Sequence, residues 1–377
     1  MTPPRSRRRE ALLALASVAV TLAMFLGAAE IVLRFLPVAT GMHTMPVTPE
    51  QPVMHFAPDR EFLFSRDWDL ALVNRGRTNN AGFVNDQAYR RDDTLPLLGV
   101  IGDSYVHAAM VPYPETLQGR LAAALAGKRR VYSFGASGAP LSQYLVWARV
   151  AVDDYGADRL VIVVVGNDFD ESHVRYKSGP GFWLYAPGAD GALALTLQEY
   201  RPGRLRDVAY HSALARYLLF NLGVGPQLFQ AGIAGRLMGP PAGQGQGQAG
   251  PPIYAGNTDT ATDEARMAAS QAVIAAFFRD LPAYARLAPG RVLFVLDGFR
   301  YPQAAEASRG TYFDRMRRLF VDRATAQGYA TVDMDGPFFA RHRQTGERFE
   351  WPRDGHWNPL GHELAAKAVL ESPLLKD

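Results

Sequence analysis

The sequence predicts a doubly wound α/β domain with a central parallel sheet, preceded by one N-terminal transmembrane helix. Three observations carry that expectation. Short, nearly continuous apolar runs alternate with amphipathic stretches of helical period, as strands do when helices cover both faces of a parallel sheet. Each of the first three runs stops at a glycine-containing polar cluster, and a basic N-terminus leads into a long uncharged stretch.

That stretch comes first along the chain. Residues 1–10 form a basic tail with Arg5, Arg7, Arg8 and Arg9, and Ala11 to Ala29 carries no charge. A helix needs roughly 20 apolar residues to cross a bilayer core, so residues 11–33 read as a single-pass signal anchor. Cleavage after Gly27-Ala28-Ala29 is the alternative, although the apolar part of a signal peptide usually spans only about 7–15 residues. A buried helix of the folded domain is a third reading. The positive-inside rule keeps the arginines in the cytoplasm and exports the residues beyond the helix, which suits a bacterial inner membrane with a periplasmic domain.

Residues 34–94 are irregular, with turn signals in "NRGRTNNAGFVND", and read as a stalk that packs back on the domain. The domain occupies 95–377. Its expected strands are Leu97–Ile101, "RVYSF" at 130–134, "RLVIVVV" at 159–165, "RVLFVLD" from Arg291 and "YATVDMD" from Tyr329. Helices are expected over Pro114–Ala126 and Leu141–Asp154, from Ala265, and from Tyr312. Right-handed crossovers make this a three-layer α/β/α sandwich of flavodoxin-like type. The rhythm fails over about 169–262, read as an insertion with one helix near Ser212–Leu222 and the core-incompetent segment "GPPAGQGQGQAGPP" at 239–252. That insertion is either a lid or a partner surface for an envelope assembly, or a tolerated surface elaboration.

Composition narrows the chemistry. The formal charge is +3, and four N-terminal arginines leave about −1 for the remainder, so no nucleic-acid footprint is present. There is no cysteine, hence no disulfide and no thiolate metal site; no H-E-x-x-H pair occurs and no G-x-G-x-x-G follows the first strand. No cofactor and no metal is expected.

Ligands of open α/β sheets bind at the carboxyl ends of strands. Gly102-Asp103-Ser104, Gly135 to Gly138 and Gly166-Asn167-Asp168 occupy three such ends, and "DGHWNPLGH" at 354–362 opens the last helix. These four blocks, "GDSY", "SFGASG", "GND" and "DGHWN", resemble those of the SGNH, or GDSL-like, hydrolase superfamily across about residues 95–372 outside the insertion. The resemblance implies a catalytic triad of Ser104, His356 and Asp354, with an oxyanion hole formed by the Ser104 N–H, the Gly138 N–H and the Asn167 amide. Serine is a poor nucleophile at neutral pH, so it needs a base and a carboxylate to orient that base.

The acid and histidine are separated by one residue where the commoner family pattern has two, a spacing similar to that of alginate-type polysaccharide O-acetyltransferases. His362 competes with His356 for the base, and its place inside the final helix makes it structural by default. Asp103 is expected to orient its loop, Asp168 to be a turn residue, and His107 to pack beside or border the pocket. Trp357 and Tyr105 either line an acyl or sugar pocket or belong to the core. The expected activity is hydrolysis of acyl esters, O-acetyl groups on cell-envelope carbohydrate foremost. An O-acyltransferase acting on an exported polysaccharide and a non-catalytic envelope scaffold are the alternatives.

Overall fold

The computed structural model describes residues 5–91, 94–224 and 263–376. The segment 239–252 singled out above lies outside them. The described chain falls into two compact units.

One unit comprises residues 5–42, 62–75 and 202–224. Its helix runs unbroken over Arg5–Arg34, through the Gly27-Ala28-Ala29 stretch. The part Arg9–Arg34 is long and apolar enough to cross a membrane, and its most apolar window is wholly unburied. At 1.5 Å per residue those 26 residues span roughly 39 Å, more than the hydrocarbon thickness of about 30 Å. The expected irregular stalk instead contains two short strands, β1 (Glu61–Arg66) and β2 (Leu72–Arg77), which pair as a two-stranded sheet. The helix expected near Ser212 is present: Ser212 caps Ala213–Arg216 by accepting from the Ala215 N–H, and the chain continues as one π-type turn to Asn221.

The other unit, residues 43–61, 76–91, 94–201 and 263–376, holds the sheet. Five strands, β3 (Leu97–Gly102), β4 (Arg130–Gly135), β5 (Ala157–Val164), then β8 (Val292–Leu296) and β9 (Ala330–Asp333), lie in the order β4-β3-β5-β8-β9, all parallel. The intervening β6 (Trp183–Pro187) and β7 (Leu193–Leu197) make an antiparallel hairpin within the expected insertion. This is the doubly wound topology that the apolar runs predict, with the chain reversing direction on either side of β3.

Side chains alternate across each strand and build two cores. Leu98, Val100, Val161, Val163, Leu293 and Val295 face a cluster completed by Leu121, Phe338 and Val369 from three helices and by Trp357, so those elements cover that face. On the other face Phe294 packs against Phe277, Phe278 and Phe320 from the helices Glu264–Ala285 and Tyr312–Ala326. Gly99 shows how close that packing is, since a Cβ there would lie 2.8 Å from Leu160 and 3.3 Å from Ala151 of the helix Leu141–Asp153. The register aligns the strand ends: Gly102 stands opposite Gly135, and Val164 opposite Leu296, itself opposite Asp333. The loops that leave those ends therefore share one edge of the sheet.

Candidate active site

At the end of β3 the backbone turns into a single helical turn, Ser104–His107, capped by Asp103, whose Oδ1 accepts the Tyr105 N–H at 2.9 Å. The turn hugs the sheet because Gly102 has no Cβ; one there would lie 2.6 Å from Val106. Ser104 is thereby fixed at the strand end, 7% exposed.

The block 354–362 folds otherwise than as a simple helix start. Glu350–Trp351 (β10) and Asp354–Trp357 (β11) form a short antiparallel pair, and the helix begins only at Pro359, with the Asn358 side chain accepting the Leu360 and Gly361 N–H groups. Extended backbone suits the one-residue spacing of Asp354 and His356, because residues i and i+2 of a strand point to the same side. Asp354 Oδ1 accepts both the His356 backbone N–H, at 2.9 Å, and the Nδ1–H of the ring. An ionised carboxylate only accepts, so Nδ1 carries the proton and Nε2 presents a lone pair. That lone pair lies 2.8 Å from Ser104 Oγ. A serine hydroxyl, an imidazole and a carboxylate thus form one hydrogen-bonded chain, an arrangement able to strip a proton from Ser104 as its oxygen attacks an electrophile.

Gly138 and Asn167 stand at the neighbouring strand ends and are not hydrogen-bonded to this chain. Gly138 has φ +76°, a region open to glycine at little cost, and a Cβ there would meet nothing nearer than Lys177 Nζ at 3.6 Å. Lys177, paired with Glu171, therefore sets a cation beside the Gly138 loop. Asn167 sits in the turn Gly166–Asp168, and its Oδ1 is buried without a hydrogen-bond partner.

The remaining sequence candidates take structural places. Asp103 Oδ2 lies 3.1 Å from Ser104 Oγ, a second and longer acceptor for the one hydroxyl proton that faces His356 Nε2, and burial pushes its carboxyl above the usual range. Asp168 is more than a turn residue: it is fully buried, its carboxylate accepts the Val165 N–H and the Tyr144 hydroxyl, each at 2.8 Å, and burial raises its pKa well above 3.8. His362 is buried in the final helix with Nδ1 accepting the Leu117 N–H at 3.1 Å, and burial drives it down to about 3. It is thus a neutral, occupied acceptor. His107, pushed to about 4 by burial, stacks on Phe56 and holds Ser137 Oγ at 2.9 Å, bracing the loop that ends in Gly138.

Tyr105 and Trp357 belong to the core, and both lead to a residue that the sequence pattern does not single out. Arg300, fully buried with φ +67°, donates to the Gly355 carbonyl at 2.5 Å, to Tyr105 Oη at 2.7 Å and to Asp297 Oδ2 at 2.9 Å. Tyr105 Oη in turn donates to the same Gly355 oxygen at 3.1 Å, while Trp357 Nε1 donates to Asp297 Oδ1 at 2.7 Å. Glu350 lies 3.6 Å from the Arg300 guanidinium. The carbonyl between the acid and the histidine is thereby held from two directions. One signal is present in the sequence: Asp297 ends the fourth apolar run just as Asp103 ends the first.

No family model matches this sequence, and no curated protein matches it. Among solved structures the chain is similar to LAE5, an alpha/beta hydrolase from the metagenome of Lake Arreo, Spain, at 15% identity over 75% of this chain and 97% of that one, TM-score 0.39. It is similar to the acetylxylan esterase Axe2 of Geobacillus stearothermophilus at 11% identity over 76% and 98% of the two chains, TM-score 0.38. TesA aligns at 14% identity over 74% and 99%, TM-score 0.36.

Proposed function

We propose that the chain is a membrane-anchored serine esterase of the SGNH type that hydrolyses acyl esters, O-acetyl groups on cell-envelope carbohydrate foremost, through an acyl-enzyme on Ser104. The observation that carries this reading is the chain from Ser104 Oγ to His356 Nε2 and from His356 Nδ1 to Asp354. Binding alone asks for no hydroxyl aligned with a neutral imidazole whose tautomer is set by a carboxylate.

In the acylation step Ser104 Oγ bonds to the ester carbonyl carbon as His356 Nε2 takes its proton. The carbonyl electron pair moves onto oxygen, where the N–H groups of Ser104 and Gly138 and the Asn167 amide would stabilise it. A half-turn of that amide about χ2 replaces its unpartnered oxygen with an NH2 group. Collapse expels the alcohol, which leaves with the proton from Nε2. Water then repeats the sequence on the acyl-enzyme and releases the acid, with Asp354 holding the ring and stabilising its charged form throughout. With the anchor uncleaved, the domain faces the periplasm.

Hydrolysis of p-nitrophenyl acetate by the detergent-solubilised full chain, set beside Ser104→Ala and His356→Ala, tests the assignment. Each variant should lose roughly 10⁴-fold or more, the usual consequence of removing a nucleophile or its base. Equal rates in the three folded proteins would reject the triad. Acetyl transfer to added oligosaccharide without release of acetate would replace hydrolysis by transfer.

A further inference from the structure

Among the described residues, every large hydrophobic side chain left exposed belongs to the unit that contains the apolar helix. Beyond the helix itself these are Phe35 at 84%, Trp68 at 70%, and Leu36, Val73, Leu218 and Leu222 between 39% and 45%. Scattered exposed leucines on a water-facing surface need no explanation, but their confinement to one unit does.

Hydrogen bonds fasten the segments that carry them to the end of the helix. Glu30, in the last turns of the helix, accepts the N–H groups of Ala213 at 3.0 Å and Leu214 at 2.8 Å and the Ser212 hydroxyl at 2.8 Å. Tyr217 Oη donates to the Trp68 carbonyl at 2.7 Å. Asn221 donates to Ser65 Oγ at 2.9 Å and accepts the Ala39 N–H at 3.1 Å.

The helix sets the level at which this collar sits. Its uncharged stretch lies between Glu10 and Glu30, a rise of roughly 30 Å at 1.5 Å per residue, which matches the hydrocarbon core. With that stretch in the bilayer, Glu30 reaches the outer boundary, where a carboxylate needs the donors that the 212–214 segment gives it. Phe35 follows directly on the helix, and the segments that carry Trp68 and Leu218 are tied to its end by the hydrogen bonds above. Aromatic and aliphatic side chains there enter the boundary between headgroups and acyl chains, and Trp is enriched at that depth.

We propose that Phe35, Leu36, Trp68, Leu218 and Leu222 form a collar that docks into the outer bilayer interface, so that the protein holds its membrane by a surface as well as by a span. The proposal rests on the reading of the helix as a membrane span.

The absence of cysteine makes single labels unambiguous. Leu22→Cys, Trp68→Cys, Leu218→Cys and Lys367→Cys would each carry a nitroxide in the full chain, reconstituted in vesicles of phosphatidylethanolamine and phosphatidylglycerol. Lys367 is 70% exposed in the other unit and serves as the water-facing reference. Collision with oxygen, which partitions into lipid, is compared with collision with a water-soluble nickel chelate. The expected oxygen-to-nickel ratio is highest at 22 and several-fold above the 367 value at 68 and 218. Water-like ratios at 68 and 218 with a lipid-like ratio at 22 would overturn the collar and leave the span standing. A water-like ratio at 22 would overturn both. Shielding from both colliders at 68 and 218 would reassign the collar to a protein partner and also overturn the proposal.

Discussion

Arg300→Met tests whether the clamp on Gly355 positions the triad. The substitution removes a buried guanidinium bonded to the half-buried Gly355 O and to the buried Tyr105 Oη and Asp297. Asp297 would keep Trp357 Nε1 as a donor but lose its charge partner. Removing one member of a buried ion pair costs about 3–5 kcal/mol, so urea unfolding of the detergent-solubilised full chain should show a stability loss of that order. Catalysis is a separate quantity. A hydrogen bond from a charged donor is worth about 1.5–3 kcal/mol, and if that bond holds the Asp354–His356 turn in register, kcat falls roughly 10- to 100-fold at one decade per 1.36 kcal/mol. Arg300 is wholly buried, so KM should hold while kcat drops. Tyr105→Phe provides the milder case. It removes one neutral bond to the same carbonyl, worth about 0.5–1.5 kcal/mol, and one acceptor of Arg300 while leaving the guanidinium on Gly355 O, so it should cost roughly 2- to 10-fold in kcat. A folded Arg300→Met protein with unchanged kcat, or a Tyr105→Phe defect larger than that of Arg300→Met, would refute the reasoning.

Asp103→Asn should keep p-nitrophenyl acetate turnover within about tenfold of the parent, since its carbonyl can still accept the Tyr105 N–H and its NH2 can donate to Ser104 Oγ; a loss as deep as that of Ser104→Ala would give Asp103 a chemical role. Asp168→Asn should flatten the pH dependence of stability. A carboxyl whose folded pKa is raised above 3.8 contributes stability that is complete below that value and is lost as pH rises through the folded pKa, so the variant should gain on the parent toward neutral pH in urea titrations, and a parallel pH profile would count against this. His362 titrates in the opposite sense. With a folded pKa of about 3 against an ordinary 6.5, it contributes stability that is full above 6.5 and is lost as pH falls toward 3, so His362→Gln should weaken the acid sensitivity of the parent while retaining activity. Gly138→Ala makes only an ordinary contact with Lys177 Nζ but takes a disfavoured φ of +76°, which should cost about 1–2 kcal/mol and lower kcat more than it changes KM.

The parts of the fold legible in the sequence are those fixed by continuous burial. Leu97–Ile101 and 159–165 are short, nearly continuous apolar runs rich in branched residues and bounded by glycine, as strands covered on both faces are, and Asp103-Ser104 and Asn167 stand at their carboxyl ends. The hairpin of β6 and β7 is less visible because its strands are short and half-buried, although Asp190-Gly191 between them, with Gly191 at φ +78°, is a turn signal. β1 and β2 are hidden for the same reason, since each is six residues long and only partly buried. Arg300 is illegible as a functional residue for a stronger reason. An arginine after a strand is ordinarily a solvated charge, and only the tertiary meeting of Asp297, Tyr105, Glu350 and Gly355 makes its burial tolerable.

The clamp on Gly355 also bears on how the protein loses activity when heated. β10 and β11 pair over so few residues that, on their own, they would fray long before a five-stranded sheet melts. Tyr105, the residue after Ser104, and Arg300, beyond the end of β8, both grip the carbonyl between Asp354 and His356. Local fraying of that hairpin must therefore break contacts rooted in the core, and thermal inactivation should coincide with melting of the sheet instead of preceding it.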